Sequence, residues 1–284
     1  VFERACHLLT PAGDVVALVV PHIGDGPLNI VVERLDQSWR LVQSGMPATL
    51  QDGRLYIGDM EIALDGAAVW EPRPDWAHLR ARRDQIARRL PLLHTLAHAQ
   101  APAGSLLALP SAAAPAAPPA PQSGDDAQGS GLRQAHGAIL AVAEQASLAL
   151  GTAWRSGRDA EGQLASAAAR LAGLGHGLTP AGDDFLMGAM LRAWLAHPEP
   201  ERLCQPMVEA AAPRTTTLSA ALLRAAARGE CSAAWHALLA ALAAENSPRA
   251  DVALANAIRD VLAHGQTSGG DTLAGFLAPG LACS

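Results

Sequence analysis

Gly173-Leu174-Gly175-His176-Gly177-Leu178-Thr179-Pro180-Ala181-Gly182-Asp183-Asp184, followed at once by the apolar residues 185–195, is the stretch around which the chain is organised. A glycine inside a helix costs about 1 kcal/mol relative to alanine. Three glycines ahead of Thr179 and Pro180 therefore mark backbone held at positive φ or pressed against a ligand. Thr179 is placed to cap a helix whose first position is Pro180. The stretch delivers backbone N–H groups, a hydroxyl and two carboxylates to one helix N-terminus.

The same template returns near the C-terminal end. His264, Gly265, Thr267, Gly270 and Asp271 repeat the spacing of His176, Gly177, Thr179, Gly182 and Asp183, again ahead of an apolar run at 273–277. Two loops on one template predict two helix N-termini facing a common pocket, where amide hydrogens and the helix dipoles favour an anion. The plainer alternative is a pair of capped helix starts, in which each aspartate gains about 0.3–1 kcal/mol from the dipole.

Composition narrows the chemistry. Of 284 residues, 50% are hydrophobic but only 4% aromatic, so much of the apolar content is alanine and helices can approach closely. The formal net charge of −6 argues against nucleic acid or an anionic membrane as partner. Every one of the 21 basic residues is arginine, which excludes a P-loop lysine, a Schiff base or a lysine general base in this chain. Cys6, Cys204, Cys231 and Cys283 show no C-x-x-C spacing and fit reduced thiols in the cytoplasm. No apolar run approaches the roughly 18 residues of a membrane span. Nor does the start of the sequence carry the basic stretch and apolar core of a secretory leader.

The expected class is α+β: a small N-terminal antiparallel β barrel or sandwich, then a mainly α-helical bundle. Residues 1–74 carry short β-type runs at 15–20, 28–32, 39–42, 54–57 and 61–64, separated by turn signals such as Asp52-Gly53 and Gly58-Asp59. Within them His22, Asp25 and Asn29 are turn formers that could also reach a ligand. Residues 75–100 read as a connecting helix that Pro91 should kink. Arg80, Arg82, Arg83, Arg88 and Arg89 make it basic, either as a solvated face or as an anion or partner surface. His94 and His98 stand four apart, a metal-helix spacing that lacks the glutamate of a zincin motif. Residues 101–131 read as a flexible Ala/Pro-rich linker, dispensable for chemistry. Within 132–284, helices are expected at 132–154, 160–174, 182–196, 201–212, 215–228, 232–244, 248–263 and 270–278.

A third cluster, Pro213-Arg214-Thr215-Thr216-Thr217-Leu218-Ser219, opens one of these helices. Three consecutive threonines suit a helix start better than its interior, and Arg214 beside hydroxyls is a clamp for phosphate or carboxylate. Ornithine- and aspartate-type carbamoyltransferases hold carbamoyl phosphate with a similar Ser/Thr-Arg-Thr cluster, a likeness of chemistry alone.

Together, the run at 173–186, the Arg-Thr-Thr-x-Leu-Ser cluster at 214–219, and Gly265 with residues 268–271 and 273–275 resemble a bacterial family. It includes the AllH-type subunit of oxamate carbamoyltransferase, from anaerobic allantoin breakdown. His176 departs from the family's pattern, which has proline there. The resemblance implies a subunit of a carbamoyl-transferring complex handling oxalurate, oxamate, phosphate and carbamoyl phosphate, with other subunits as partners.

On this reading Gly175, Gly177, Gly182, Gly265 and Gly270 let backbone amides approach a small dianion. Thr179, Thr215, Thr216, Ser219, Thr267 and Ser268 add hydroxyls, and Arg214 clamps. Asp183, Asp184 and Asp271 orient substrate amides or hold a Mg²⁺ that bridges to phosphate, and His176 or His264 acts as general acid or base. Two rival classes remain at this stage. One is a magnesium-dependent hydrolase using Asp183, Asp184 and Asp271. The other is a non-catalytic scaffolding or ligand-binding subunit whose loops only hold the bundle together.

Overall fold

The computed structural model describes residues 2, 4–33, 39, 42–108, 139, 141–143, 145, 146, 148, 149, 151, 152 and 161–278. Its first part holds two three-stranded sheets. In one, β1 (Ala5–Leu9) pairs antiparallel with β2 (Val15–Val19), and β2 pairs parallel with β3 (Asn29–Val31). In the other, β4 (Ala48–Gln51), β5 (Arg54–Ile57) and β6 (Met60–Ala63) form an antiparallel meander. Asp52 and Gly53 both take positive φ between β4 and β5, the two-residue turn whose twist matches flanking strands. Leu18, Leu55, Ile57 and Ile62 from the two sheets join Cys6, Val32 and Trp39 in one core.

The expected antiparallel barrel is corrected: no closed barrel forms among the described residues. The connection 20–28 carries the chain back toward the starting end of β2, with the Asn29 Nδ2 donating to the Gly24 carbonyl, so the third strand runs parallel. Trp39, expected in a strand, lies in a 3₁₀ turn, and residues 40 and 41 are outside the described set.

The second part is helical. The expected connecting helix is two: α1 (Trp76–Ala81) and α2 (Arg83–Ala99), broken at Arg82 rather than at Pro91. Pro91 is carried inside α2, while Arg82 is drawn aside to donate from Nη1 to the Ala243 carbonyl. Its neighbours hold the same region: Gln85 bonds the Ala244 carbonyl, and the buried Arg89 bonds the Ala250 carbonyl and pairs with Asp251 at 3.0 Å. Two of the five basic side chains are thus ties within the fold. A 3₁₀ turn at Leu106–Ala108 follows, and Leu106 and Leu107, inside the stretch expected to be a linker, are buried in the helical core.

Beyond it come α3 (Glu161–Leu171), α4 (Ala181–Ala196), α5 (Pro200–Ala211), α6 (Thr217–Ala227), α7 (Ala233–Ala243), α8 (Pro248–Leu262) and α9 (Ser268–Phe276). The described residues at 139–152 are helical; the rest of the helix expected at 132–154 lies outside the described set. Cys6, Cys204 and Cys231 are buried free thiols whose pKa burial pushes up; Cys283 lies outside the described residues. No described helix is long and apolar enough to cross a membrane.

Helix α4 is the centre, buried at every position from Gly182 to Leu195 except Met187. It packs most closely on α9, and glycine permits that approach. A Cβ on Gly188 would overlap the Thr272 carbonyl oxygen, and one on Gly275 the Phe185 carbonyl oxygen. The β-rich part docks through backbone: the Ala233 N–H meets the Asp25 carbonyl at 3.0 Å and the Cys231 N–H the Pro72 carbonyl at 2.9 Å. Trp76 Nε1 donates to the Gly229 carbonyl at 2.9 Å, and its ring lies 6.0 Å from that of Trp194 on α4.

Because the obstruction at Gly188 is backbone, Gly188→Ala should lower stability by about 2–3 kcal/mol in chemical denaturation. Gly162, in α3 with open space where a Cβ would stand, is the control: Gly162→Ala should stabilise by roughly 0.5–1 kcal/mol.

Candidate functional site

Three loops meet at the N-terminal ends of α4, α6 and α9. The first, 173–180, takes positive φ at Gly173, Gly175 and Gly177, the last with open space around it. Pro180, not Thr179, is the residue that caps α4, its carbonyl accepting from the Asp183 and Asp184 amides. The Thr179 hydroxyl is engaged elsewhere: it lies 2.9 Å from the Ser268 hydroxyl, which joins the start of α4 to the start of α9. The repeated template therefore does bring its two copies side by side.

The third loop is locked to the first by Asp183. This fully buried carboxylate accepts from the Gly173 N–H at 3.0 Å on Oδ1. On Oδ2 it accepts from the Ser219 hydroxyl at 2.8 Å and from the Thr215 hydroxyl. Thr216 caps α6 by accepting the Ser219 N–H at 3.1 Å and donates its own hydroxyl to the Leu178 carbonyl at 2.6 Å. The hydroxyl protons of Thr215, Thr216 and Ser219, expected to face a ligand, are thus bonded within the protein here. Of this cluster Arg214, on an exposed 3₁₀ turn, keeps its side chain toward solvent.

Asp271 has a matching arrangement: its Oδ1 accepts the Leu106 N–H at 2.6 Å. Sequence reasoning missed both distant amide donors, Gly173 and Leu106. The paired leucines at 106 and 107, in an otherwise Ala/Pro-rich stretch, were the available signal.

Asp184 differs. It is 1% exposed, its Oδ2 has no hydrogen-bond partner, and its pKa is pushed well above 3.8. Burial is the main cause, and the charges of Asp271 and Asp183 add to it; hydrogen bonds from Ser268 and Thr179 oppose it. A carboxyl between two helix N-termini would ordinarily ionise readily. Here desolvation wins.

The glycines divide in two. Gly182 and Gly270 serve packing: a Cβ on the first would overlap the Leu171 carbonyl oxygen, and one on the second would stand 2.7 Å from the Ser105 Cβ. The Gly182 N–H also donates to the Leu174 carbonyl at 2.9 Å, so it is not offered to a ligand. Gly175 at φ 122°, Gly177 at φ 98° and Gly265 at φ 62° serve backbone conformation. Thr267 precedes α9 without a side-chain cap bond. His176 is exposed at the loop apex, while the His264 Nδ1 turns back to the Asp260 carbonyl at 2.9 Å.

Among the described residues no group of three His, Cys, Asp or Glu side chains is arranged to hold a metal ion. Of the three aspartates expected there, Asp183 already accepts three hydrogen bonds and the Asp271 Oδ1 accepts the Leu106 amide. The His94 and His98 rings lie with their centroids 4.2 Å apart, tilted 47° to each other. Of His22, Asp25 and Asn29, the last two serve backbone ties already described, and His22 is exposed.

Comparison with known proteins adds the following. A family model described as oxamate carbamoyltransferase subunit AllH matches residues 171–279, and one described as the AllH family N-terminal domain matches residues 1–69. No curated protein and no solved structure matches the chain.

The raised pKa of Asp184 has a sign. The native state holds this proton more tightly than the unfolded chain, so stability should fall as pH rises above the ordinary aspartate value, until native Asp184 itself ionises. Asp184→Asn should remove that component, leaving the variant relatively more stable at neutral pH than in acid, as read by urea denaturation across the acid-to-neutral range.

Proposed function

This chain belongs to the AllH family, the oxamate carbamoyltransferase subunits, and we propose that it serves such a complex by holding a small anionic substrate where loops 173–180, 212–217 and 264–268 meet. The observation that carries this reading is Asp184. A carboxyl with an unpartnered oxygen, 1% exposed, sits beside the Thr179–Ser268 bridge at the junction of two helix starts.

The electrostatics support an anion. Three ionised carboxylates so close together would repel one. Asp183 is offset by three donors and Asp271 by the Leu106 amide, while burial favours the neutral form of Asp184. What remains is the positive end of each helix dipole and the exposed Arg214 guanidinium.

In the transfer that the family's description implies, the carbon–oxygen bond of carbamoyl phosphate breaks as the oxamate amide nitrogen bonds to the carbamoyl carbon. Phosphate leaves, and the nitrogen gives up a proton. Arg214 and the two helix ends would hold the phosphate or carboxylate oxygens. His176, at the loop apex, would take the proton. The subunit role implies further chains in the assembly, which would supply the rest of the surround.

A second reading has its own support. Asp183 takes all its bonds from this chain, and Gly182 and Gly270 are filled by neighbouring groups, as a purely supporting subunit would require.

Calorimetric titration separates the two. Carbamoyl phosphate, phosphate and oxamate, each with and without Mg²⁺, should include at least one saturable ligand. Arg214→Ala should weaken it by at least about tenfold, the worth of one good charge-assisted clamp. A folded wild-type chain that binds none of them, or an Arg214→Ala variant that binds as wild type does, would leave the supporting role.

A further inference from the structure

Helices α1 and α7 flank a cleft that takes no part in the loop junction. Each turns one face to it, at the i, i+3, i+4, i+7 spacing of neighbours on a helix surface. From α1 and its two caps these are Asp75, His78, Leu79 and Arg82. From α7 they are His236, Leu239, Ala240 and Ala243, and the two alanines leave room that larger residues would fill. The cleft holds about 460 Å³, within the range of small-molecule sites, roughly 300–1,000 Å³.

The lining changes character along α1. Asp75 and Arg82 bracket the helix, about two turns and 10 Å apart along its axis, so opposite charges mark the two ends of one face. Between them Leu79 and Leu239, 5% and 1% exposed, form an apolar floor. Each charge keeps capacity. The Asp75 Oδ1 accepts the His78 N–H at 2.9 Å, while its Oδ2 takes no hydrogen bond among the described residues. The Arg82 Nη1 donates to the Ala243 carbonyl at 3.1 Å, and its other N–H groups have no partner among the described residues. The His236 Nε2 is already committed, donating to the Pro72 carbonyl at 3.1 Å.

We infer that this cleft binds a small zwitterion, an amine and a carboxylate joined by a short methylene chain. The ammonium lies on Asp75, the carboxylate on Arg82, and the methylenes cover Leu79 and Leu239. A planar carboxylate matches the guanidinium fork, and an ammonium brings donors to a carboxylate oxygen that has none. A ligand of one sign would leave the rim charge of that same sign unmatched. The site shares no residue with the loop junction and does not depend on the function proposed for it.

The test is calorimetric titration of the full chain with aminocaproate as the probe, and with caproate and hexylamine as analogues that each lack one charge. Aminocaproate should bind the wild type saturably, and each analogue should bind at least about threefold more weakly, the worth of one partly exposed ion pair. Asp75→Asn keeps a good helix cap, so it should fold and yet lose the preference for aminocaproate over caproate, a change that a capping role alone would not produce. Arg82→Gln should lose the preference over hexylamine. Ala240→Trp should fill the cleft from an exposed position of α7 and weaken aminocaproate by at least about tenfold, and it carries the test should Arg82→Gln fail to fold. No saturable binding to the wild type, equal affinity for the three compounds, wild-type affinity in Ala240→Trp, or an unchanged preference in Asp75→Asn or folded Arg82→Gln would each overturn the inference.

Discussion

The Asp183 carboxylate is the constraint on which the loop junction rests. It is fully buried, and an ion in that position is tolerable only if its lone pairs are met. They are met by the Gly173 amide and by the Thr215 and Ser219 hydroxyls, donors from two segments brought together by folding. Hydrogen bonds to a charged group are worth about 1.5–3 kcal/mol each, so the same charge that is costly to bury fixes the spacing of the loops once they bond to it. Asp271 repeats the device on a smaller scale with Leu106. Asp184 keeps one oxygen without a partner, and burial raises its proton affinity against the hydrogen bonds from Ser268 and Thr179.

Helix packing makes this arrangement possible. Gly188 and Gly275 let α4 and α9 touch backbone to backbone, which brings Thr179 and Ser268 within hydrogen-bond distance at the helix starts. Gly182 and Gly270 do the same for the preceding chain and for Ser105. The glycines of the repeated template are therefore mostly required by the fold, and a ligand is left the outer edge of the junction: the apex at His176 and Gly177, the start of α9, and Arg214.

Much of this could be read from the residues. The apolar periodicity placed the seven helices from 161 onward within a few residues of their ends, because each buries a face wide enough to show in the pattern. The repeated His-Gly-x-Thr spacing foretold that two distant segments would meet, and Thr179 lies against Ser268. What could not be read is non-local. A glycine pressed against a carbonyl and one pressed against a ligand look alike in a sequence, so the closeness of Gly182 to the Leu171 carbonyl oxygen is not legible there. The hydroxyls of Thr215, Thr216 and Ser219 look like open donors in the sequence because nothing local shows that a carboxylate and a carbonyl take them. The parallel pairing of β2 with β3 depends on the path of 20–28, and the break at Arg82 on a carbonyl 161 positions away.

The central claim is that one ligand is held by all three loops together. Hydrogen–deuterium exchange on the full chain, with and without carbamoyl phosphate, tests it directly. The account predicts slowed exchange at 175–182, 212–217 and 264–270 in the same titration, with one midpoint. Slowing confined to a single loop, or exchange unchanged in all three, would contradict it.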